Sequence, residues 1–139
     1  MGMLKASAED LARGVLFDPG LWYRVKIASH DKKPAADGKS INHFFHLTCI
    51  PIGNPDADQF VGSSPGVVFN EKYLDVRYGE FCTALGAEKD ADGNIAIDPD
   101  AVDGEVLEVF VTHRIDKNDK NKVYNDCKSF RKVGAGEDE

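Results

Sequence analysis

The sequence predicts a mainly β protein, and three features predict it. Apolar and polar residues alternate with period two over residues 21–28, Ile41–Ile50, Val106–Ile115 and 122–131. Segments of Asp, Asn, Lys, Gly and Ser separate these runs as turns. Helical spacing of apolar residues is confined to one internal stretch, residues 70–86, and a short one near the N-terminus. The chain has 139 residues, 42% of them hydrophobic and 29% charged, which fits one globular domain. The domain is expected over residues 21–133, with an N-terminal appendage at 1–20 and a short acidic tail at 134–139.

In the appendage, Ser7 to Asp10 has the form of a capping box and Gly14 is a stop, so a short helix is expected over residues 8–13. The first strand puts Leu21, Tyr23, Val25 and Ile27 on one face and Trp22, Arg24 and Lys26 on the other. Residues 31–40 have turn composition. The second strand divides Ile41, His43, Phe45, Leu47 and Cys49 from Asn42, Phe44, His46 and Thr48. Residues 51–66, rich in Pro, Gly and Ser, read as a long surface loop. A short strand at 67–69 precedes a helix that Asn70 would cap, with Leu74, Tyr78, Phe81 and Leu85 as its stripe and Gly86 as its C′ residue. Gly79 inside that helix costs roughly 1 kcal/mol against Ala and suggests close packing on the sheet.

Residues 88–104 form an acidic excursion. Their register resembles a calcium loop, but Pro99 stands where the bidentate Glu belongs, so a solvated acidic loop is the reading. The final hairpin follows, turning at residues 116–121. Five strands with a helix between the third and fourth give the order of a five-stranded OB-fold barrel.

Charge is segregated along the chain. The net charge is −7, yet residues 110–133 carry seven Lys/Arg against three Asp/Glu, while residues 51–109 carry three against thirteen. A basic segment in an acidic chain points to a polyanion partner for one surface. In an OB barrel, ligands lie across strands 2 and 3, between the loops joining strands 1–2 and 4–5. Those loops carry Lys32, Lys33 and Lys39, and Lys117 and Lys120, although two aspartates in each leave the first at +1 and the second neutral. Single-strand binders pair such cations with rings on which bases stack, each worth roughly 1–3 kcal/mol. Trp22, Phe44 and Tyr124 are the candidate rings. Arg24, Lys26, Arg114, Lys122, Lys128 and Arg131, with the turn lysines, are the candidate phosphate contacts. Phe110, Thr112 and Arg114 are expected on one face of strand 4, and Tyr124, Lys128 and Phe130 on one face of strand 5.

Other classes find little support. The sequence has no P-loop, GxSxG, HExxH or Rossmann glycine pattern, so no catalytic residues are assigned and the protein is read as not an enzyme. Cys49, Cys82 and Cys127 are widely spaced and read as buried thiols of a reducing compartment. The four histidines read as structural, and no metal or cofactor is implied. No apolar run reaches the roughly 20 residues of a membrane span, and the N-terminus lacks a signal-peptide core. A cytoplasmic location is expected, with no membrane partner.

The pieces Gly20-Leu-Trp-Tyr-Arg-Val-Lys-Ile27, Asn42-His-Phe-Phe45, Phe81-Cys-Thr-Ala-Leu-Gly86, Asp103-Gly104 and the closing Lys-rich hairpin are arranged as in one known group. In this layout the chain resembles phage-encoded OB-fold single-stranded DNA-binding proteins. The resemblance implies single-stranded DNA as partner, a role in phage DNA replication or recombination, and a bacterial host cell as the setting. It also implies that the acidic tail, Gly134 to Glu139, recruits replication or recombination proteins. A homodimer is left open. The rival reading, resting on the acidic middle of the chain, is an interaction module or DNA-mimic inhibitor that binds a host or phage enzyme.

Overall fold

A computed structural model describes residues 3–4 and 15–134, so the helix expected at 8–13 and the tail beyond Gly134 lie outside the described residues. The protein is built on one five-stranded antiparallel sheet in the order β3-β2-β1-β4-β5. Strand β1 is Leu21–Pro34 and β2 is Ile41–Ile50. A one-turn helix α1, Pro55–Asp58, follows inside the expected loop, then β3, Val67–Asn70. A 3₁₀ turn Glu71–Tyr73 leads to helix α2, Val76–Ala84. After a second 3₁₀ turn, Pro99–Ala101, come β4, Val106–Ile115, and β5, Val123–Arg131.

The alternation read from the sequence sets the core. Tyr23, Val25 and Ile27 of β1, Phe45, Leu47 and Cys49 of β2, and Leu107, Val109 and Val111 of β4 are all buried on one face. Helix α2 brings Phe81 beneath them, its ring 4.9 Å from Phe45, 5.1 Å from Phe69 and 5.1 Å from Phe130. One helical side chain thus ties together β2, β3 and β5. Phe17, in the segment read as an appendage, is also fully buried, stacked 5.0 Å from Phe60 and edge-on to Tyr23.

Three local expectations are corrected. The first strand does not stop at residue 28. A bulge between Ile27 and Ser29 absorbs Ala28, and pairing resumes at Ser29↔His46 and continues through His30↔Phe45, Asp31↔Phe44 and Lys33↔Asn42. Lys32 and Lys33 therefore stand on a strand, and only residues 35–40 form the turn, which Asp37 closes by accepting from the Lys39 and Ser40 amides. Asn70 caps the 3₁₀ turn rather than the α-helix, which starts one turn later with Asp75 accepting from the Arg77 and Tyr78 amides. Leu74 consequently falls outside the helix and is exposed. Gly79 does not serve close packing, because a Cβ there would meet nothing within 4 Å. Gly86 does end the helix as expected, at φ +94°.

The sheet is open, with β3 and β5 as its two edges. The edges nonetheless face one another: Cys127 Sγ lies 3.4 Å from the Gly66 carbonyl, and the rings of Phe69 and Phe130 are 6.1 Å apart. Arg77 staples this seam. Its guanidinium donates to the Val68 carbonyl of β3 at 2.8 Å and to the Cys127 carbonyl of β5 at 3.2 Å, while lying 4.7 Å over the Phe69 ring.

Candidate nucleic-acid interface

Most of the strand-borne site residues predicted from the sequence lie on the outer face of the sheet, where the structure sorts them into two groups. The first surrounds the seam. Phe44 of β2 lies between Asp31 and Val68 in the ladder, and Tyr124 of β5 lies opposite Arg114 of β4. Together with His46 these residues line a cleft of about 320 Å³. Along the seam it continues into a second cleft of about 580 Å³, which shares Arg114 and adds Arg77 and Lys128.

The Phe44 and Tyr124 rings each carry a cation. Lys33 Nζ is 5.3 Å from the Phe44 centroid, and the Arg114 guanidinium is 5.3 Å from that of Tyr124. The bulge on β1 sets the first pair, since it puts Lys33 on the same outer face as Phe44. The antiparallel register of β4 and β5 sets the second. Tyr124 is 40% exposed, so its ring is open to a planar partner. Its hydroxyl donates to Asp116 at 3.3 Å, anchoring it to the β4–β5 turn.

That turn holds its lysines outward by using its acids on its own backbone. Asp116 accepts from the Asn118 and Asp119 amides, and Asp119 accepts from Asn121. The Asn118 amide is the chief reason the Asp116 carboxyl lies below the usual carboxylate range. Lys117, Lys120 and Lys122 are all exposed beside it. Lys39 is exposed in the β1–β2 turn. Lys32, by contrast, lies one residue out of phase with Lys33 and lines a different cavity, with His43 and Glu71.

The second group sits at the other end of β1. Trp22 is half-buried, tilted 5.4 Å from Phe110, with the Arg131 guanidinium 4.0 Å over its ring. Glu108, only 2% exposed, lies between the strands that carry these groups. Its Oε2 accepts from Arg24 at 3.0 Å and its Oε1 from Arg131 at 2.8 Å. Two of the three arginines expected to meet phosphate are therefore engaged by a carboxylate inside the protein. Trp22 stands nine residues from Asp31, the β1 partner of Phe44, which is roughly 30 Å of strand. It does not share the Phe44–Tyr124 cleft. Lys26 is exposed between Thr48 and Val106, on the Trp22 half of β1.

The expected partnership of Tyr124, Lys128 and Phe130 is corrected. The β4–β5 register skips Lys128 between Phe110↔Ser129 and Val111↔Cys127, so Phe130 turns into the core at 5% exposure. Lys128 stays exposed on the seam. Phe110, Thr112 and Arg114 do share one face, since they alternate with buried Val109 and Val111.

Sequence reasoning missed His46, Val68, Arg77 and Glu108. Alternation puts His46 on the same face as Phe44 but as a structural histidine, whereas Val68 becomes a neighbour of Phe44 only through the β2–β3 register. Arg77 carried no pattern, because its role depends on two edges meeting. Glu108 becomes readable only when the register sets it against Arg24 and Arg131.

Among the described residues, no cluster of three or more His, Cys, Asp or Glu could hold a metal ion. All three cysteines are buried, and burial pushes the Cys49 thiol up to about 11 and the Cys127 thiol to about 12, far from a reactive thiolate at neutral pH. His46 pairs with Asp31 at 2.7 Å, and His113 meets the Phe17 carbonyl at 2.6 Å. No protein-family model and no curated protein sequence matches the chain.

Proposed function

We propose that this chain is a non-catalytic protein of OB-barrel type that binds single-stranded DNA in the seam cleft. The strand order β3-β2-β1-β4-β5, with the β3 and β5 edges brought face to face, supports the barrel reading. The observation that carries the function is the pair of rings, Phe44 and Tyr124, lining one cleft with a cation over each. Flat rings accept bases of any sequence, and adjacent cations accept the backbone. Phosphate contacts then fall to Lys33, Arg114, Lys128 and the lysines of the 116–122 turn. The closing acidic segment is the element through which replication or recombination proteins would be recruited, in the cytoplasm of a phage-infected cell.

The test is the anisotropy of a fluorescein-labelled oligothymidylate of about 20 nucleotides, titrated at about 25 to 200 mM salt. With about four phosphates neutralised, log K falls against log salt with a slope of about −3. Absence of binding at the lowest salt overturns the proposal and leaves the acidic interaction module as the better reading.

A further inference from the structure

Two histidines outside the cleft form a chain of hydrogen bonds across four elements. The bulge at Ala28 turns His30 of β1 to the inner face, diagonal to His43 of β2. The rings stack 5.0 Å apart at 7°, with Phe45 packed 4.9 Å from His30. His30 Nε2 lies 2.8 Å from His43 Nδ1. At the outer ends, His30 Nδ1 lies 3.3 Å from Asp100 Oδ1, and His43 Nε2 lies 2.6 Å from Glu71 Oε1. The imidazoles are 3% and 12% exposed, while their carboxylate partners reach solvent.

Counting protons fixes the charge of this chain. With Asp100 and Glu71 ionised, each outer contact needs a proton on the ring nitrogen, and the central contact needs one proton between two nitrogens. The three contacts thus require three protons on four nitrogens. Two neutral imidazoles supply two, and two imidazolium rings supply four. Only a pair carrying one extra proton makes all three bonds. Losing that proton leaves either a lone pair facing a carboxylate or two lone pairs facing each other, and in both cases removes the positive charge that holds the exposed carboxylates; gaining another sets two N–H groups against each other.

We infer that His30 and His43 act as a one-proton clasp that fastens the acidic loop, through Asp100, to the β1–β2 hairpin. The clasp holds while the pair carries a single positive charge. It opens as pH rises through the loss of that proton, and it breaks at its centre as pH falls through the uptake of a second. Imidazole is the side chain whose ordinary charge change falls between about pH 5 and 8. The other charged and titratable groups nearby are Lys32 of β1 and Tyr78 of α2, which line the same 310 Å³ cavity as His43 and Glu71, and Asp98. Burial holds Tyr78 neutral up to about 12, and the Asp98 carboxylate is turned to the Asp100 amide. Neither competes for the shared proton. Of the two outer contacts, that to Asp100 is the longer and its carboxylate the more exposed, at 73% against 52% for Glu71. It is the end that opens when the proton leaves.

Long-range ¹H–¹⁵N spectra of the full chain across about pH 4.5 to 9 test this. The two rings should titrate in two separated steps, as coupled sites do. Between the steps, His30 Nδ1 and His43 Nε2 are both protonated and one proton is shared at the centre. The amides of Asp100, Ala101 and Val102 should move with the upper step. In Asp100→Ala, an exposed change that spares the core, the upper step should drop by about 0.5–1 pH unit and the amide response should vanish. His43→Gln should leave His30 with a single step. Independent titration of both rings, an unprotonated His30 Nδ1 between the steps, or an upper step unmoved in Asp100→Ala overturns the inference.

Discussion

The two ends of the outer face use the same residue types to opposite ends. Around Trp22, the ring is covered by Arg131, and Arg131 is held with Arg24 on the nearly inaccessible Glu108. Around the seam, Phe44 and Tyr124 also lie under cations, yet Tyr124 is exposed and the acid it touches, Asp116, is at the surface. A buried counter-charge makes the difference. Where one lies within reach of the guanidinium groups, ring and cations become part of the protein's own packing. Where none does, they remain available to a ligand that brings its own anion and its own flat surface.

Glu108→Gln breaks this comparison most severely. It leaves Arg24 and Arg131 beside a neutral amide, one of whose groups must point a donor at a donor. Removing one partner of a fully buried pair costs about 3–5 kcal/mol. Here the arginine side chains are 21% and 28% exposed, so water relieves part of the loss and about 2–3 kcal/mol is expected. The urea midpoint should fall accordingly, while Tyr124→Ala should move it by less than about 1 kcal/mol. Equal shifts in the two variants would mean that the Trp22 end is no more structural than the seam.

Affinity should show the reverse ranking. Tyr124→Ala removes an exposed stacking surface and should weaken oligothymidylate binding by about 1–3 kcal/mol, roughly 5- to 150-fold. Phe44→Leu keeps the apolar contact with Val68 but removes the flat ring, and its effect should lie at the lower end of that range. Trp22→Phe, which keeps an aromatic ring beside Phe110, should change affinity less than about twofold. Anisotropy titrations at one low salt concentration separate the three. A large loss in Trp22→Phe together with none in Tyr124→Ala would move the interface to the other end of β1.

How much of this was legible follows from what each feature depends on. Alternation fixed the inner faces of β1, β2 and β4, because burial on one side imposes a period of two that survives without knowing the neighbours. The same rule failed at each bulge. No residue type announced that Ala28 or Lys128 would drop out of register, and those two slips moved Lys33, His30 and Phe130 to faces that a strict period does not give them. The helix was recognised by its stripe, but two cap-forming residues, Asn70 and Asp75, stand five apart, and the first took a 3₁₀ turn instead. Phe44 and Tyr124 were named singly from the sequence. That they share a cleft depends on the β3 and β5 edges meeting, a long-range fact set by Arg77 and the Phe69–Phe130 contact.

The smallest expected effect is the most specific to the seam. Lys128 lies on the cleft wall but touches neither ring pair, so Lys128→Gln should leave the fold and the stacking intact. If its ammonium meets one phosphate, its loss releases one fewer counterion and makes the salt slope shallower by about 0.7. Affinity at low salt should then drop only a few-fold, a change that a single titration would barely register. Lys26→Gln is the matched control, an exposed lysine on the Trp22 half of β1, and its slope should equal that of the parent protein. The comparison rests on slopes rather than affinities because any lost cation lowers affinity through the overall field, whereas only a contacting one changes the number of ions displaced. Equal slope changes in both variants would show diffuse attraction with no cleft behind it.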